Sequence, residues 1–141
     1  CDEKDMKSRV FIRILSRALV MGGLAMEIAG SSRPCSGSEH LFAHAIEEYY
    51  PDVKISHGLA VALGSIPACI FQGQSPQGLL DFFGTYKLDI DPRSYGITED
   101  MFADIWDKAR TVRTGRITIL DDIPLDRVQL NEIYSRMVEG K

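Results

Sequence analysis

Apolar residues recur along most of this chain at the spacing of three and four positions that is typical of amphipathic helices. The longest such segment covers residues 5–29 and has the recurring apolar set Val10, Ile14, Ala18, Met21, Ala25 and Ile28. Its second half is apolar on nearly every side, so we expect that half of the helix to be buried. Gly30 predicts the end of the helix, because glycine adopts the left-handed conformation of a helix C-terminus without steric cost.

Five shorter segments follow the same rule and are separated by turn residues. Helices are predicted over residues 38–49 and 57–72, near 79–86, after Thr98 and after Asp126. Pro51 ends the second helix, and Pro67 is expected to kink the third. The brief β-like run at 117–120 is interpreted as a connection. About six helices without a convincing sheet predict an all-α helical bundle, treated as one domain over residues 1–141.

The composition is that of an ordinary globular domain. The chain has 141 residues, of which 45% are hydrophobic and 26% are charged, and this length suffices for one domain with a core. The net charge of −4 and the lack of a basic stripe argue against a nucleic-acid partner. The apolar run at 55–71 is interrupted by His57, Ser65 and Pro67, so no membrane association is predicted.

The cysteines give a weak indication of cellular location. Cys1, Cys35 and Cys69 are widely separated and form no CxxC pair. They predict neither a zinc knuckle nor a disulfide framework, and free thiols are expected in a reducing cytoplasm. The start at Cys1 instead of methionine, with a charged CDEKD segment that leads directly into a helix, suggests a piece of a longer protein.

All three histidines fall within one short stretch. His40 and His44 are four positions apart and therefore share one face of the second predicted helix, and His57 stands directly before Gly58 at the start of the third. Zinc and Fe(II) accept neutral imidazoles, so this arrangement is a candidate metal centre. Hydrogen-bonded histidines without a metal are the open alternative. The metalloprotease motif is excluded, because Leu41 stands where it requires glutamate.

The loop before the second helix is a candidate anion site. Ser31, Ser32 and Arg33 offer two hydroxyls and a guanidinium close to the start of a helix, where backbone N–H groups are unpaired. The alternative is a capping loop, with Ser36 or Ser38 as the N-cap and Arg33 in a structural salt bridge.

These residues and their flanks resemble a known family. The stretch AGSSRPCSGSEHLFAHAIE begins at Ala29, and HGLAVALG begins at His57. A histidine, three residues, a second histidine and a later His-Gly pair resemble the iron-containing alcohol dehydrogenase and dehydroquinate synthase superfamily. The SSRP and SGSEH strings are most similar to its sn-glycerol-1-phosphate dehydrogenase branch. Residues 109–120 are similar to a later pattern of that branch, so the resemblance covers most of the chain.

The resemblance implies an α/β nucleotide-binding domain followed by an all-α domain, with the active site in the cleft between them. This chain resembles the all-α, C-terminal domain only. His40 and His57 would ligate a divalent metal, zinc or otherwise iron or nickel, and His44 would handle a proton or hydrogen bond near the substrate. The missing domain would supply an aspartate ligand and the NAD or NADP site. Leu59 stands where many relatives carry glutamate, which predicts the loss of a polar partner of the metal.

The implied reaction interconverts dihydroxyacetone phosphate and sn-glycerol 1-phosphate, a step of phospholipid biosynthesis. Ser31, Ser32 and Arg33 are then the candidates for binding the phosphate of this small-molecule substrate. A homo-oligomer is expected for the full-length protein, and this chain alone is expected to be inactive. Two alternatives stay open: a sugar-phosphate cyclase of the dehydroquinate synthase kind, and a non-catalytic helical oligomerisation domain.

Overall fold

The computed structural model describes residues 5–139, so Cys1 lies outside the described residues. Within that range the chain is helical and contains no β-strand, which confirms the all-α prediction. The helices are α1 (Arg9–Ala29), α2 (Ser38–Tyr49), α3 (His57–Phe71), α4 (Gln77–Thr85), α5 (Glu99–Ala109), α6 (Ile119–Asp122) and α7 (Arg127–Glu139). Two 3₁₀ turns lie at Arg33–Cys35 and Pro92–Tyr95. No described helix is long and apolar enough to cross a membrane.

The chain divides into two compact units, Cys1–Gly37 and Ser38–Lys141. In the first unit, the Ser8 side chain caps α1 and Gly30 ends it with a φ of 59°, as the sequence predicted. The prediction that the second half of α1 is buried is wrong, because none of its residues is buried. Within this unit α1 packs against the short turn at Arg33–Cys35, which is too small to cover a helix of 21 residues.

The core of the second unit forms where α2 packs against α3 and α5. Phe42 on α2 and Trp106 on α5 are fully buried, with their ring centroids 4.8 Å apart. Phe71 at the end of α3 meets the Trp106 ring edge-on at 5.1 Å. Helix α7 also packs against α5, and its residues Leu130 and Ile133 are buried in this core. The core therefore fixes α2 and α3, the two helices that carry the histidines.

A glycine sets the distance between α2 and α3. A Cβ atom at Gly64 would lie 2.9 Å from the backbone oxygen of Glu39 and 3.1 Å from the Cβ of Phe42. Real Cβ atoms essentially never approach a backbone atom this closely. The absence of a side chain at Gly64 therefore allows the two helices to pack at this spacing.

The region at 117–120 differs from its prediction as a β-like connection. Residues Ile119–Asp122 form a short helix with a capping box, in which the Thr118 side chain accepts from the backbone of the first turn and the Asp121 carboxylate accepts from the Thr118 N–H at 2.7 Å. These reciprocal hydrogen bonds satisfy backbone N–H groups that, in a strand, would have to bond to a neighbouring strand. Thr118 in the N-cap position therefore outweighs the β-propensity of its isoleucine neighbours.

Candidate metal centre

The three histidines come from α2 and from the start of α3, and His57 contacts the other two. His40 and His44 lie one turn apart on α2, and His57 is the first residue of α3. The Ser56 side chain caps α3 by accepting from the Leu59 N–H at 3.4 Å, so this cap fixes where the His57 side chain begins. The chain reverses direction between these helices around Pro51.

His57 lies between the other two imidazoles. Its ring centroid is 5.5 Å from that of His40 and 5.5 Å from that of His44. The side chains of His40 and His44 are 25% and 22% exposed, and that of His57 is 45% exposed. The His57 ring is therefore close to both of the other rings, and all three are accessible from the surface of the second unit.

Each imidazole faces a carboxylate through its Nδ1 atom. Glu39 Oε1 lies 2.9 Å from His40 Nδ1, Glu47 Oε2 lies 3.0 Å from His44 Nδ1, and Glu47 Oε1 lies 2.7 Å from His57 Nδ1. A ring that donates from Nδ1 to a carboxylate keeps Nε2 unprotonated when neutral, which is the form that ligates a metal. The donor chemistry of the three histidines thus fits a divalent metal ion.

Glu47 is the charged centre of this group. Its hydrogen bonds with His44 and then His57 hold the pKa of the Glu47 carboxyl below its ordinary value, although partial burial acts in the opposite direction. Glu47 is therefore ionised near neutral pH and accepts from both rings.

A second set of possible ligands overlaps with the predicted pair. His44, Glu47 and His57 offer ligand atoms that all lie within 4.8 Å of one another. The sequence-based prediction named His40 and His57 as ligands and His44 as a proton-handling residue, and these assignments stay predictions. Sequence reasoning did not assign Glu47 a role. The available signal was its spacing of three positions from His44, which places both on one helix face.

The predicted phosphate-binding residues belong to the first unit. Ser31 follows the glycine cap of α1, and Ser32 and Arg33 form the start of the 3₁₀ turn. All three are exposed. Their role as phosphate ligands stays a prediction, as does the capping alternative with Ser36 or Ser38.

Comparison of the sequence with known proteins finds relatives that share the name of one enzyme. The chain is 42% identical over 118 residues to the glycerol-1-phosphate dehydrogenase [NAD(P)+] of Sulfurisphaera tokodaii, a match that covers 84% of this chain and 33% of the relative. The enzyme of the same name from Sulfolobus acidocaldarius is 40% identical over 81% of this chain and 32% of the relative. That from Pyrobaculum neutrophilum is 42% identical over 79% and 33%.

By sequence, this chain is similar to a part of the glycerol-1-phosphate dehydrogenases. No protein-family profile matches it. The chain spans about a third of the length of the glycerol-1-phosphate dehydrogenases that it matches. The resemblance inferred from the SSRP and SGSEH strings is therefore confirmed at the level of the family.

Proposed function

We propose that this chain supplies the metal- and substrate-binding part of an NAD(P)-linked dehydrogenase that interconverts dihydroxyacetone phosphate and sn-glycerol 1-phosphate. The observation that carries the proposal is the meeting of three imidazoles from α2 and α3 around His57, in a chain whose relatives bear the name of that enzyme. The cofactors are a divalent metal, zinc or otherwise iron or nickel, and NAD or NADP.

His40 and His57 would hold the metal through Nε2, since a carboxylate faces Nδ1 in each ring. A bound metal of this kind polarises a hydroxyl or carbonyl oxygen as a Lewis acid. His44 is the third imidazole of the group, and its Nε2 is suited to donate or accept a hydrogen bond at the substrate. Arg33, with the Ser31 and Ser32 hydroxyls, would bind the substrate phosphate.

A zinc titration of the 141-residue chain tests the metal site directly. We expect calorimetry to detect weak zinc binding, because two histidines alone leave the ion short of ligands. The double variant His40→Ala, His57→Ala should lose this binding. Lys54→Ala is a suitable control, because Lys54 lies three residues before His57 and its ammonium donates to the backbone oxygen of Pro51. If the double variant binds zinc as tightly as the parent chain, the proposed ligand pair is wrong.

The reaction is tested in a chimera, because catalysis by this chain alone is expected to be absent. The matching third of the Sulfurisphaera tokodaii enzyme is replaced by this chain, and folding is checked by circular dichroism. We expect zinc-dependent oxidation of NADH or NADPH with dihydroxyacetone phosphate and no conversion of a seven-carbon sugar phosphate. A folded chimera that turns over only the sugar phosphate would instead support the cyclase alternative.

A second candidate role is self-association through α1. This helix exposes large apolar side chains, among them Leu19 at 67% and Ile28 at 88%. Apolar surface of this extent on one helix commonly marks an interaction site. We expect sedimentation velocity to detect concentration-dependent association of the chain, which the double variant Leu19→Glu, Ile28→Glu should abolish. A parent chain that stays monomeric at high concentration would exclude this role for the isolated chain.

A further inference from the structure

The carboxylate of Glu47 contacts two histidines that come from different helices. Oε2 meets His44 Nδ1 at 3.0 Å, within α2, and Oε1 meets His57 Nδ1 at 2.7 Å, across to α3. His44 and His57 therefore share one acidic partner, and each of its two oxygens serves one ring.

We propose that Glu47 is a positioning residue, which holds the Nδ1 protons of His44 and His57 and so presents the Nε2 atoms of both rings to the metal and substrate. The metal part of this inference rests on the proposed function. The tautomer part concerns the metal-free chain and stands by itself.

The distances favour a positioning role over direct ligation by Glu47. Both oxygens are engaged at ordinary hydrogen-bond lengths, and both face Nδ1 atoms. A neutral histidine in water prefers to carry its proton on Nε2, which prevents that nitrogen from binding a metal. A carboxylate at Nδ1 reverses that preference and also fixes the orientation of the ring. Leu59 carries no carboxylate, and the acidic partner that His57 contacts is Glu47.

The next residue along the helix provides a matched control. Glu48 carries the same charge, its side chain is 47% exposed against 49% for Glu47, and it pairs with Arg113 instead of a histidine. Glu47→Gln and Glu48→Gln therefore remove the same charge from neighbouring positions of α2. They differ in whether a histidine loses its partner.

The first measurement is the tautomer of each histidine, read from ¹⁵N–¹H imidazole spectra of the metal-free chain. Spectra are taken at about pH 8.5, about two units above the pKa of free histidine in water. We expect His44 and His57 to carry their protons on Nδ1 in the parent chain and in Glu48→Gln. In Glu47→Gln, at least one of the two should move its proton to Nε2. Parent rings that are already protonated on Nε2 would overturn the proposal.

The second measurement is zinc affinity, with Co²⁺ absorption as a report on the ligands. We expect Glu47→Gln to weaken zinc binding about 10- to 100-fold, the usual effect of removing a carboxylate partner from a histidine ligand, and Glu48→Gln to leave it unchanged. The shape of the Co²⁺ spectrum should be the same in the parent and in Glu47→Gln. A changed spectrum would make Glu47 a direct ligand and overturn the positioning role. A parent that binds no zinc but has the expected tautomers would refute the proposed metal site and leave the tautomer assignment intact.

Discussion

Helices α1 and α3 are both strongly apolar, yet only one of them is buried. In α3, Leu63 and Ile66 are 0% and 2% exposed, whereas in α1 Leu19 is 67% exposed. The difference lies in what packs on each helix. Gly64 lets α2 approach α3 closely, whereas within its unit α1 has only a three-residue turn beside it. Apolar composition therefore predicts that a helix forms, but its burial depends on a partner with a complementary surface.

The largest expected effect on stability comes from replacing a leucine of α3 by alanine, and the same replacement in α1 serves as the comparison. Leu63→Ala should lower the free energy of unfolding by about 2–5 kcal/mol, because it leaves a cavity in the core. Leu19→Ala should change it by less than about 0.5 kcal/mol, because the side chain is already largely in water. Urea denaturation followed by circular dichroism measures both. Equal losses would show that α1 is as well packed as α3 in solution.

A pair of glycine substitutions should give effects of opposite sign. Gly64→Ala places a methyl group against the Glu39 backbone and should cost about 1–3 kcal/mol through overpacking. Gly23→Ala in α1 meets nothing within 4 Å and should stabilise the helix by up to about 1 kcal/mol. Thermal unfolding of the two variants separates these outcomes. Stabilisation by Gly64→Ala would contradict the close approach of α2 and α3.

The smallest expected effect is a pH dependence in the second unit. Hydrogen bonds from Lys108 and then Tyr50 lower the pKa of Asp104 below its ordinary value of 3.8. A carboxyl whose pKa is lower in the folded state stabilises it above the unfolded pKa, and this contribution is lost as the pH falls through the folded pKa. Because Asp104 is 44% exposed, Asp104→Asn should cost only about 0.5 kcal/mol at about pH 6.

Urea denaturation at two pH values checks this effect. The difference between Asp104→Asn and the parent chain should shrink as the pH is lowered below 3.8. The amide introduced by this substitution does not titrate. The pH dependence that the variant retains therefore comes from the other acids, which the parent chain shares. A difference that grows toward low pH would mean that the pKa of Asp104 is raised in the folded chain.

The fold was largely predictable because local signals agree with it. Ser38 and Pro51 bracket α2 and Gly30 ends α1, so the bounds of these helices could be read from the residues themselves. The short helix α6 was missed, although its capping box is local, because the isoleucines at 117 and 119 suggested a strand. The exposure of α1 was not predictable from its own sequence, since burial depends on which surfaces pack against it.

The candidate site was predictable only in part. The three histidines stand out by their spacing, and the turn at Pro51 makes their convergence a reasonable expectation. The link between Glu47 and His57 joins residues ten positions apart and depends on how α2 and α3 pack. No periodicity in the sequence specifies that contact, so the double role of Glu47 required the structure.

The close packing at Gly64 limits which amino-acid substitutions this protein can tolerate. The backbone of Glu39, which Gly64 touches, directly precedes His40. Any larger residue at 64 would displace the beginning of α2 and carry the first imidazole away from the other two. Substitution of that glycine in a related or engineered sequence should therefore be accompanied by compensating changes near residue 39, or by the loss of the proposed metal binding without any alteration of the histidines.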